Sequence, residues 1–198
     1  MINKKQLAVF LISLFYIATA SAQFNSDLLK RRAAEKVGQM NDYISFMASK
    51  KKSVEVRQKY RKEALNLFIG EGNSYEENGV QKEGVLMEVT SVNRPGKRRE
   101  LIRDYFSRII MLNYNDVNIS STEIAEIKVS NLQKISGDQY VCTCQFDQAF
   151  VGYRDGRPVY KDITTKRVKC YITIDRTVNG DEYIIKLGDT EAIATKRG

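Results

Sequence analysis

Chemistry in this 198-residue chain has to come from carboxylates, phenols, amines and three cysteines, because it contains no histidine. That absence removes the Ser-His-Asp and Cys-His triads and every zinc site that needs an imidazole. Three cysteines also fall one short of a four-thiolate site. What remains is acid–base work by a carboxylate set beside a phenol or a protonated acid in an apolar pocket. Asp147, Asp162 and Asp189 lie in or near strand-like segments, and Tyr43, Tyr105, Tyr153 and Tyr160 can supply phenols. No motif draws these acids into one site, and acids on strands more often face solvent. The expectation is therefore no catalytic residues, no cofactor and no metal.

The cysteines allow a geometric reading. Cys142 and Cys144 alternate with Tyr140 and Phe146 on one face of a strand, and Cys170 joins Val168, Ile172 and Ile174 on the next. A two-residue turn at Asp155-Gly156 would pair Arg154 with Arg157 and set even residues against odd ones. One strand would then turn its apolar face outward, so a one-residue shift is needed. A β-bulge near Asp147-Gln148, where the apolar phase slips from Phe146 to Ala149, or a longer odd-length loop, would supply it. Either Cys142 or Cys144 then lies opposite Cys170. Bridging Cys142 to Cys144 is disfavoured, because i,i+2 spacing in a strand sits near the upper limit for a disulfide. Three buried cysteines beneath the helices are expected, with no metal among them. A cross-strand disulfide to Cys170 stays open.

Two clusters have the character of binding surfaces. Phe146 to Tyr160 gathers Gln148, Phe150, Tyr153 and Tyr160 around a turn. With Tyr43 and Phe46 on a first helix and Tyr105 and Phe106 on a third, these aromatics would converge as a ligand pocket if a sheet curls over the helices. The second cluster, Arg94, Lys97, Arg98 and Arg99, falls at an expected helix start, where cations oppose the helix dipole. Charge placed against its local preference points to an anion landing there. The net charge is +8, but the basic faces lack the interleaved aromatics of a nucleic-acid groove, so nucleic acid is not an expected partner.

The elements that must position these residues follow from periodicity. Leu29, Ala33, Val37, Met40, Ile44 and Met47 form one stripe of a long helix with Ser26 as its N-cap, ending at Lys50-Lys51-Lys52. Ser53 caps a second helix with Val56, Tyr60, Ala64, Leu67 and Phe68 on its apolar side and Arg57, Lys59, Arg61 and Lys62 elsewhere. Gly70 to Gly84 is a loop or loose hairpin tip, and Val85 to Val92 a strand. Ile102, Tyr105, Phe106, Ile109 and Leu112 mark a third helix. From Ile124 to Ala194 the chain reads as a four-strand antiparallel meander, with turns at Ser136-Gly137-Asp138, Arg154 to Pro158 and Val178 to Asp181.

Lys4-Lys5, the apolar run Leu7 to Ala18 and the small-x-small site Ala20-Ser21-Ala22 together form a secretory signal peptide over residues 1–22. Residues 23–198 then make one domain, exported to the periplasm or beyond.

The order helix, helix, strand, helix, meander resembles the NTF2-like (cystatin-like, SnoaL-like) α+β superfamily over Asp27 to Ala194. Its closing strand resembles Gly180-Asp181-Glu182-Tyr183-Ile184-Ile185-Lys186-Leu187, with Tyr183 in place of the family's Trp. The resemblance implies three helices against a curved, mainly antiparallel sheet, with a pocket at the wide end of a cone. It implies no particular reaction, since the fold hosts enzymes, transport factors and scaffolds. The family's dehydratase branch generally relies on a histidine, which this chain lacks. The expected role is an exported, non-catalytic binding or scaffold module of a bacterial envelope. Its partner would be a small apolar or anionic ligand or a protein, with a homodimer through the open sheet face as a further option. The alternatives are a small-ligand carrier or pocket enzyme of the same fold, and a membrane-anchored assembly component resembling the VirB8-like branch. Edman sequencing of the chain recovered from an envelope fraction should begin at Gln23; an intact Met1 chain in membranes would support the anchored alternative.

Overall fold

The computed structural model describes residues 25–178 and 180–198, so the proposed signal peptide lies outside the described residues. Among the described residues no helix is long and apolar enough to cross a membrane. Helix α1 (Ser26–Ala48) is capped by Asn25, one residue earlier than expected: its side-chain oxygen accepts from the Leu28 amide at 2.9 Å. The expected stripe from Leu29 to Met47 is buried along its length. The helix stops before the lysine run, and Lys50 serves another helix's negative end, donating to the Ile110 carbonyl at 3.1 Å.

Helix α2 (Val54–Leu65) is capped by Ser53 as expected. Its inner face is partly misread from the sequence, because Val56 is exposed and Arg57 is buried. Arg57 donates to the same Ile110 carbonyl at 2.7 Å, so two cations close the C-terminal end of helix α3 (Ile102–Ile110). Residues 75–82 form a small hairpin, β1 (Tyr75–Glu77) and β2 (Val80–Lys82), within the segment read as a loop or loose hairpin tip.

Eight strands build the main sheet: β3 (Leu86–Ser91), β4 (Arg94–Leu101), β5 (Asp116–Ser121), β6 (Lys128–Val129), β7 (Gln133–Ser136), β8 (Gln139–Arg154), β9 (Arg157–Thr177) and β10 (Gly180–Arg197). The order is β4-β3-β10-β9-β8-β5, with β6 and β7 also pairing with β8. All pairings are antiparallel except that of β10 with β3. This is the α+β architecture that the resemblance implies, three helices on a mainly antiparallel sheet. Two details differ from the expected layout of strands. Its first strand is broken into β6 and β7, and β5 continues the same flank of β8. The stretch 94–101, expected to lead into a helix, is a strand in a hairpin with β3.

The β8–β9 hairpin turns at Asp155-Gly156, both with positive φ (49° and 73°), which suits a two-residue turn between twisted strands. Arg154 pairs with Arg157 and Tyr153 with Pro158, but Gly152 pairs with Tyr160, so Val159 is the extra residue. The one-residue shift therefore exists at Val159, not at Asp147-Gln148. Beyond it, even residues face even residues, and Cys142 lies opposite Cys170. No phase slip occurs at Gln148, whose side chain stays on the inner face. A polar residue in an apolar phase had imitated a slip.

Replacing Arg57 with Met removes a buried charged donor from the end of α3 and should lower stability by about 1.5–3 kcal/mol. Lys50→Met should cost less, because that lysine is half-buried. Urea denaturation of both variants checks the order.

Candidate functional site

A cavity of about 280 Å³ opens between α3, the end of β3, the middle of β8 and the start of β9. Ile109 and Leu112 from the α3 side and Val89 from β3 supply apolar wall. Phe150 stands between two tyrosines, its ring centroid 5.8 Å from Tyr114 and 5.6 Å from Tyr160. Tyr114 can lie flat on β8 only because position 152 is glycine: a Cβ there would meet the ring at 2.5 Å. Opposite the rings, the inner phase of β9 is polar for three successive positions, Asp162, Thr164 and Lys166, all buried.

These polar groups are wired to one another. The Tyr160 hydroxyl donates to Asp162 Oδ2, and Ser91 Oγ lies 2.8 Å from the same hydroxyl, placed to donate to it. Desolvation raises the Asp162 pKa above the usual carboxylate value, with the Tyr160 bond and the Lys166 charge opposing it. Burial and the bond to Asp162 push Tyr160 up to about 12. Lys166 is driven the other way, down to about 8, chiefly by desolvation and in part by Arg108, with Asp162 offsetting some of it. Its ammonium has no carboxylate within ion-pair distance among the described residues; it lies 3.8 Å from the Met87 sulfur and 5.4 Å from the centre of the Tyr105 ring. Arg108 stacks on the same ring and pairs with Glu100. Tyr105, buried beneath both cations, is itself pushed up to about 12 by desolvation. Gln148 reaches the back of the cavity and donates to Asn41 Oδ1 at 2.9 Å, while Asn41 Nδ2 has no partner among the described residues.

Of the eight residues expected to line a ligand pocket, Tyr105, Gln148, Phe150 and Tyr160 line this cavity. The other four do not. Tyr43 and Phe46 point to the α1–α2 side, where both pack on Tyr60 and Lys52 lies over Phe46. Phe106 is core, edge-on to Phe68. Tyr153 lies in the odd phase of β8, on the sheet face opposite Phe150. Among the candidate acids only Asp162 reaches the cavity. Asp147 is exposed and accepts from the Thr165 hydroxyl at 2.6 Å, and Asp189 takes the Leu86 amide at 2.8 Å, tying β10 to β3. Lys166, Thr164, Ser91, Arg108 and Tyr114 were missed. Lys166 had a visible signal: it is a charge inside the even run that ends in Val168, Cys170, Ile172 and Ile174.

The basic cluster is not at a helix start. It lies on β4, where Lys97 and Arg99 pair with Glu88 at 3.3 Å each and Arg98 pairs with Glu100 at 3.1 Å. Only Arg94 is left without an ion pair among the described residues, and it lies at the cavity mouth. As a ready-made anion site the cluster is thus largely neutralised.

No protein-family model matches the chain, and no curated protein matches it. Among solved structures it is similar to a candidate scytalone dehydratase from Novosphingobium aromaticivorans, at 14% identity and a TM-score of 0.40, over 88% of this chain and 91% of that one. It is also similar to a candidate aromatic ring hydroxylase from the same organism, at 11% identity and a TM-score of 0.39, over 86% of this chain and 94% of that one. At such values neither protein's chemistry passes to this chain.

Lys166 offers a direct check of the site's electrostatics. A base whose folded pKa lies below its unfolded one binds fewer protons folded than unfolded between the two values, so stability rises with pH there. Below about pH 8 the full penalty of burying the ammonium is present, and it is relieved between about pH 8 and pH 10.5. Relative to Lys166→Met, the wild type should gain up to about 3 kcal/mol across that window. Chemical denaturation of the pair at steps of pH would read it; parallel curves would mean that Lys166 is solvated.

Proposed function

We propose that this chain is an exported binding module whose cavity holds a small organic anion with a flat apolar part. One observation carries the reading: Lys166 is a buried cation at the cavity with no carboxylate partner among the described residues. Burying an ammonium without a counter-ion is costly, and an anionic ligand would repay the cost on binding. Arg94 adds positive potential at the same opening, Arg108 being paired with Glu100, and the one acid lining the cavity, Asp162, has its own pKa raised. Phe150, Tyr114 and Tyr160 offer faces and edges for a ring to pack on. The volume suits a ligand of one or two rings rather than a sterol or a lipid chain. Export rests on the signal-peptide pattern of residues 1–22, and an exported chain would meet its ligand in the periplasm or outside the cell.

A second reading has an observation of its own. Asp162, raised by burial and hydrogen-bonded to Tyr160, is a carboxylate set beside a phenol in a partly apolar cavity. That is the pairing required to move a proton on a bound carbonyl compound. It makes the same cavity an acid–base enzyme rather than a carrier.

Calorimetric titration with flat aromatic carboxylates and their neutral amides separates these readings. For the carrier, carboxylates should bind at least about 10-fold tighter than amides, and Lys166→Met should erase the preference. Equal affinity for both would refute the anion reading. For the enzyme, deuterium from solvent should enter the α-position of a bound ketone, and Asp162→Asn should stop it.

A further inference from the structure

Where α1 crosses β8 and β9, away from the cavity, the same register that builds the polar wall brings three sulfurs together. Cys142 and Cys170 are directly opposed, and Cys144, two residues along β8, is diagonal to Cys170. All three are free and buried, and their Sγ atoms lie within 4.8 Å of one another, with Cys144 and Cys170 at 3.5 Å. An ion bound equally by three thiolates at about 2.3 Å requires sulfurs about 4.0 Å apart, so the triangle needs only adjustments of side-chain torsion.

We propose that Cys142, Cys144 and Cys170 form a trigonal site for a soft monovalent metal ion, Cu(I). The choice of ion follows from the ligand set. Zinc takes four ligands in a structural site, and no carboxylate joins the three cysteines among the described residues, while the chain has no histidine at all. Thiolates without oxygen or nitrogen partners select Cu(I) instead, which a three-sulfur shell can satisfy. Binding involves no change of oxidation state: each coordinating thiol releases its proton to solvent as its sulfur takes the metal. Three thiolates around Cu(I) carry a net double negative charge. Lys30, half-buried on α1, exerts a small electrostatic pull on Cys142, lowering its pKa. Its ammonium is held by Asn131 at 3.2 Å, in the segment between β6 and β7. This site is independent of the cavity and of whatever the cavity binds.

The test is anaerobic titration of the reduced mature protein with Cu(I) against bicinchoninate, followed by X-ray absorption of the loaded protein. One copper per chain is expected, held by three sulfurs at about 2.3 Å. Lys30→Gln leaves the sulfurs untouched and should weaken binding by no more than about 5-fold with the same three-sulfur shell. Cys142→Ala should weaken it at least about 100-fold, with circular dichroism confirming the fold. Absence of one-to-one binding by the folded wild type, or a shell with fewer than three sulfurs, would overturn the proposal. So would a Cys142–Cys170 disulfide in protein isolated without added oxidant, because it consumes two of the three ligands.

Discussion

One extra residue, Val159, decides what this sheet can do. Without it the Asp155-Gly156 turn would oppose even residues to odd ones, and β8 and β9 could not bury the same face. With it, Cys142, Cys144, Phe146 and Gln148 share a surface with Asp162, Thr164, Lys166, Val168, Cys170 and Ile172. The cavity wall and the sulfur cluster are both read off that one surface. A slip of one residue between them would keep one on the inner face and turn the other onto the opposite face of the sheet.

That surface is not uniform along its length. Moving down β9, the inner phase passes from acid and hydroxyl through an amine to valine, cysteine and isoleucine. The helices leave a cavity over the polar end and bury the apolar end. An ammonium at position 166 sits at the boundary, far enough in to lose its water and still in reach of whatever enters the opening. The aromatic rings on β8 and after α3 keep that opening from being purely polar, and Gly152 is the omission of a side chain that lets Tyr114 take part.

Much of the architecture was readable because periodicity and turn residues agree with each other. The stripe of α1, the cap at Ser53 and the paired glycine turns all lie where local chemistry alone would put them. The failures have a common physical cause: a residue's type was trusted over its position. Arg57 has the spacing of a buried position as much as Val56 does, but a guanidinium was assigned to water; in the fold it closes the end of another helix. Gln148 kept its phase while its polarity implied that the phase had changed. Tyr43 and Phe46 flank the stripe of α1, and a helical pattern cannot say whether such flanks meet a sheet or a second helix. Proline and glycine at 95 and 96 looked like an end to strand structure. Among the described residues they lie in an outermost strand, where a missing amide donor costs nothing.

The position of that outermost strand has a consequence for the protein's life in a crowded compartment. A sheet with open flanks is a template on which other chains, or other copies, can grow by backbone pairing. Here β4 presents Arg94, Pro95, Lys97, Arg98 and Arg99 along one flank, and three of those cations are held in place by Glu88 and Glu100. The opposite flank of β8 is covered piecemeal by β5, β6 and β7, each too short to seed a long ladder. The arginine-rich segment thus acts as a guard on the sheet: its charges keep an incoming strand from docking, and its proline denies that strand one of the hydrogen bonds it would need.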